Sequence, residues 1–158
     1  MQGTLKELMD LLYEGEKVTE RFYMGLVEMF LHEPVAASVW WEMASEEALH
    51  IWLVEKAREA LSPEQLAMPA SPEMIEKARR RASISPEKLW ASIQTLEDAY
   101  QAAHQMEAEE FDAILEPIFL DLFPGDIRNY LARSQLQKHL QPLDRLRTKE
   151  WRLTIHRR

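Results

Sequence analysis

The chain has 158 residues, of which 46% are apolar and 29% charged, a balance that suits one folded domain with a real core. Its net charge of -8 argues against a nucleic-acid partner, whose footprint would be basic. With no cysteine, disulfides, thiol catalysis, cysteine-ligated zinc and iron–sulfur clusters are all excluded.

The start, "MQGTLKELMD", lacks the uncharged run of a signal peptide, and no stretch has the length and apolarity to span a bilayer. The expectation is a cytoplasmic protein without a membrane partner. From Thr4, a good N-cap, to about His32 the periodicity is helical, with Leu5, Leu8, Leu12, Glu16, Thr19, Tyr23, Leu26 and Phe30 on one stripe. "HEPV" ends that helix, because proline is poorly tolerated inside a helix and well tolerated at the start of the next. A second helix is predicted over about 35–60, with Val39, Met43, Glu47, His50, Val54 and Ala57 on its stripe.

Residues 61–87 contain Ser-Pro-Glu at 62–64, 71–73 and 85–87, each a helix-start signal, so this stretch is expected to form short helical turns. A third long helix is predicted from about Pro86 to Leu115, its stripe holding Leu89, Ile93, Leu96 or Glu97, Tyr100, His104, Glu107, Phe111 and Ile114. "FPGD" reads as a stop and restart before a fourth helix over about 126–146, with Ile127, Leu131, Gln135, His139 and Leu143 inward. Two basic runs, "KARRRAS" at 77–83 and the tail over 148–158, read as solvated faces. The expected architecture is therefore all-α. Two antiparallel helix pairs over 1–147, joined by a long crossover at 61–87, are one known plan for a four-helix bundle. The two halves also look weakly alike, "EKVTERFY" against "HQMEAEEF" and "SEEALHIWL" against "SQLQKHLQPL".

The polar residues on these apolar stripes are the chemical signal. They are Glu16, Glu47, His50, His104, Glu107 and His139. A lone buried carboxylate or imidazolium costs several kcal/mol unless it is paired or ligates a metal. Oxygen and nitrogen donors without sulfur suit iron, manganese or zinc. Each residue also has a plainer reading. A small rotation of the first helix would put Glu16 at its polar edge. His104 could be an uncharged core histidine hydrogen-bonded to Tyr23 or Tyr100, and Glu107 lies in "MEAEE", an acidic run of the kind that often marks a solvated face. Trp40 and Trp41 are adjacent, so both cannot face one core; one of them is expected to face a partner, most simply a second copy of the chain.

"EGEKVTERFY" and "MASEEALHIWLVEK" resemble the first two helices of the ferritin-like superfamily, rubrerythrin branch. In that family a ligand glutamate stands seven residues before an aromatic, as Glu16 precedes Tyr23, and a Glu-x-x-His motif follows, as in Glu47 and His50. The third helix has His104 where the family usually has glutamate, with Glu107 one turn on. In the fourth, His139 is kept but Leu136 stands where the second motif needs its glutamate.

The resemblance implies a ferritin-like four-helix bundle with one or two iron ions, or manganese or zinc, held by Glu16, Glu47, His50, His104, Glu107 and His139. It also implies an oxidoreductase that reduces peroxide or dioxygen by cycling ferrous and ferric iron, supplied by an external electron donor. The alternative is a bundle with a decayed site that serves as a structural or protein-interaction module; a third reading is simple iron storage.

Overall fold

The computed structural model describes residues 3–108, 125 and 140–158. All regular structure among these residues is helical: α1 (Leu5–Met29), α2 (Pro34–Ala60), α3 (Pro63–Leu66), α4 (Pro72–Ala82), α5 (Pro86–Ser92), α6 (Leu96–Ala108), a 3-10 turn (Gln141–Arg145) and α7 (Lys149–Thr154). None of the described helices is long and apolar enough to cross a membrane.

The helix starts follow from local chemistry. The Thr4 hydroxyl accepts from the Glu7 amide at 3.2 Å and caps α1. Ser62, Ser71 and Ser85 cap α3, α4 and α5 in turn, each followed by a proline at the first helical position. Ser62 and Gln65 form a reciprocal capping box. Pro34 likewise stands at the start of α2, there without a side-chain cap. The expected short turns of the crossover are thus present, α4 being the longest at 11 residues.

α1 packs along α2 as an antiparallel hairpin, and α4 and α5 lie against α1. The direction follows from the core itself. The early α1 residues Leu8, Met9 and Leu12 cluster with the late α2 residues Leu53, Val54 and Ala57, and with Ile75 and Ala78 of α4. At the other end, Phe22, Tyr23, Leu26 and Phe30 cluster with Ala36, Val39, Trp40 and Met43 of α2 and with Leu96, Ala99 and Ala103 of α6. Between the two clusters, the buried positions carry Glu16, Thr19, Glu47 and His50. A polar layer therefore divides an otherwise apolar core.

One close approach needs glycine. A Cβ on Gly25 would lie 2.3–2.5 Å from the Trp90 indole, whose Nε1 donates to the Phe22 carbonyl at 3.2 Å. Any side chain there would push Trp90 off α1.

Three expectations need correction. The long third helix is interrupted after Ser92 and restarts at Leu96, because the Asp98 carboxylate accepts from the Gln94 and Thr95 amides at 2.9 and 2.8 Å. The Thr95 hydroxyl in turn accepts from the Asp98 amide, the arrangement of a helix start rather than a helix interior. The predicted fourth helix does not reach 146 as α-helix: with Pro142 among its first residues, Gln141–Arg145 is a 3-10 turn. Finally, the basic tail is not merely solvated. It packs back on the domain, with Leu96 N donating to Ile155 O, Arg157 N to Gln94 O and Arg158 N to Met29 O. The rest of the predicted fourth helix, with Leu136 and His139, lies outside the described residues, as does Phe111.

Candidate metal centre

Glu16 comes from the middle of α1, and Glu47 and His50 from successive turns of α2, where the i, i+3 spacing brings both side chains to one face. All three are buried, each at most 1% exposed. Ligand atoms of the three lie within 4.8 Å of one another, close enough to hold one metal ion. His50 Nδ1 stands 3.4 Å from Glu16 Oε2 and 3.5 Å from Glu47 Oε2. Apart from this imidazole and a proton shared with Glu47, no donor among the described residues reaches the Glu16 oxygens. A buried carboxylate with open lone pairs is uncommon in a settled core. It is the normal state of a ligand.

The electrostatics follow from the crowding. Burial and the neighbouring Glu16 charge push the Glu47 carboxyl up to about 7. Burial would raise Glu16 as well, but Glu47, His50 and the Arg81 charge outweigh it and hold it below its usual value. Burial alone would lower His50, yet the two carboxylates raise it to about 10. The cluster so retains a proton that a metal ion would displace, since imidazole ligates only when neutral.

Glu107 is half-buried and accepts a hydrogen bond from the Tyr23 hydroxyl. Tyr23 is fully buried, two stripe positions beyond Glu16, and stacks on Trp40 with ring centroids 6.2 Å apart. Burial and the Glu107 charge hold its phenol well above the ordinary tyrosine range, so it stays a neutral donor. Thr19, between the two, turns its hydroxyl back to the Gly15 carbonyl at 3.0 Å.

His104 does not join this layer. It is exposed and meets Tyr100 edge-on at 4.5 Å. The physical reason is the break before α6: a stripe read continuously through Leu89 and Ile93 loses its phase at the restart. The buried face of α6 is instead Leu96, Ala99, Ala103 and Met106. Glu97 is also elsewhere, paired with Arg152. His139 lies outside the described residues.

Arg81 is the residue that sequence reasoning missed. It stands in a run of three arginines read as a solvated face, yet it is only 2% exposed. Its Nη1 donates to the Met106 carbonyl at 2.8 Å. Burial works against its charge, and the Glu16, Glu47 and Glu107 carboxylates outweigh that penalty. A signal was present: Ile75, Ala78 and Arg81 share one stripe at spacing three, counted from the Ser71 cap.

No family model matches the chain, and neither does any curated protein or solved structure.

Proposed function

We propose that the chain is a metal-binding protein of the rubrerythrin type, a ferritin-like four-helix bundle in which Glu16, Glu47 and His50 hold a redox-active divalent ion. The observation that carries this reading is the Glu16–Glu47–His50 layer: three ligand side chains from two helices, fully buried, with Glu16 oxygens open for coordination. An all-nitrogen-and-oxygen donor set suits iron or manganese, with zinc as a redox-silent competitor. Glu107, and His139 of the fourth helix, would complete the set.

When bound, iron would supply electrons to peroxide or dioxygen, returned by an external donor. The chain's own residues do the rest. The apolar clusters on either side of the layer keep bulk water out. Tyr23 fixes Glu107 through its hydroxyl and shields the layer with Trp40. The exposed neighbour Trp41, 58% accessible beside a wholly buried Trp40, supports pairing with a second copy, which the mass in solution tests.

The test is metal content per chain after expression with added iron and purification without chelator or affinity tag. Bound iron with a ferric–carboxylate absorption, followed by peroxide consumption with a chemical reductant, is the expected result. A fully helical protein that takes up neither iron nor manganese sinks the proposal. It would leave the second reading, a decayed site in a structural or interaction module. One observation favours that reading: Arg81 already supplies a cation beside the carboxylates.

A further inference from the structure

Of the three arginines at 79–81, two behave as surface residues. Arg79 donates to Glu7 at 2.9 Å, and Arg80 stands 4.0 Å from Glu76, both exposed. Arg81 alone of the three turns in. Its stem lies against Gly15, where a Cβ would come within 3.3 Å of Arg81 Cγ, and Gly15 immediately precedes Glu16. Its guanidinium ends on the carbonyl of Met106, which immediately precedes Glu107. The side chain therefore runs from the backbone beside one acidic residue to the backbone beside another, through the interior. Arginine keeps its proton in proteins, so this is a permanent positive charge.

We infer that Arg81 takes the place of one metal cation, so that the centre built on Glu16, Glu47 and His50 holds a single divalent ion rather than a pair. The inference rests on the proposed metal-binding function and specifies its stoichiometry. Among the described residues, the three carboxylates Glu16, Glu47 and Glu107 less one guanidinium leave two negative charges, the match for one divalent ion. Two such ions beside Arg81 would leave two uncompensated positive charges, against one without it, and a low-dielectric interior penalises each. Gly15 eases the arrangement, since a Cβ there would make the Arg81 stem give by a few tenths of an ångström.

The experiment is anaerobic titration of the full chain with manganese(II), read by bound metal per chain and by the magnetic coupling that only a metal pair produces. Wild type is expected to saturate at about one ion with an uncoupled spectrum, and Arg81→Gln at about two ions with a coupled one. Arg81→Met, which keeps most of the stem's packing, serves if the glutamine variant does not fold. A coupled pair in wild type overturns the inference at once and leaves the metal-binding function standing. So does a single ion in wild type and in a folded Arg81 variant alike, since Arg81 would then not set the count. Binding by neither protein, with helicity intact, removes the inference and the proposed function together.

Discussion

Glu97 with Arg152 and the Glu16–Glu47–His50 layer are both buried ionic groups, and they are built differently. Glu97 accepts from Arg152 Nε and from Gln101 Nε2, the latter at 2.8 Å. Arg152 spends a second donor on the Arg147 carbonyl at 2.6 Å and lies 3.8 Å from the Tyr100 ring centroid. Both Glu97 oxygens have a donor, and the pair fastens α7 to α6. In the layer, two carboxylates face one imidazole, and Glu16 has oxygens to spare. A closed pair stabilises the fold. Under the proposed function, a metal ion would complete the layer.

Glu47→Ala should sharpen that contrast most. Bound iron or manganese is expected to fall below detection, and unchanged metal content would show the site to be misplaced. Glu47→Gln should also lose metal while melting no lower than metal-free wild type, because it relieves the repulsion between two buried carboxylates at constant volume. Arg152→Ala should act in the opposite sense. Stability should drop by about 3 kcal/mol as Glu97 is left buried without its cation, with metal content unaltered. A denaturant titration and a metal assay on the same sample read both effects.

The pH dependence of the closed pair is smaller and has a definite sign. Burial would raise the Glu97 carboxyl, but Gln101 and Arg152 hold it below its ordinary 4.5. Its contribution is therefore complete above 4.5 and is lost as pH falls through the lower folded value. Arg152→Ala should flatten this acid limb of the stability curve; an unchanged limb would assign it to other carboxylates. The smallest effect is expected at Gly15→Ala. Alanine favours the helix by about 1 kcal/mol, and crowding of Arg81 at 3.3 Å opposes it, so the melting temperature should barely move. A large destabilisation would show that Arg81 has no room to shift.

Part of this molecule was legible from local rules. The Thr4, Ser62, Ser71 and Ser85 caps and the prolines that open α2 to α5 act within one helical turn, so the starts of α1 to α5 follow from residues a few positions apart. Glu16, Glu47 and His50 could be placed inward because α1 and α2 are long and unbroken, which keeps the helical phase over many turns. That Trp40 and Trp41 could not share one core was legible for the same reason; which of them turns in was not, and Trp40 is buried and Trp41 exposed.

Tertiary structure decided the rest. His104 faces outward because the Asp98 cap restarts the helix, and phase cannot be carried across a break. Arg81 and Arg152 are buried although both stand in basic runs, because carboxylates distant in sequence compensate them there: Glu16, Glu47 and Glu107 for one, Glu97 for the other. A charged residue looks like surface until its counter-charge is known. That counter-charge is set by which helices meet, not by neighbours along the chain.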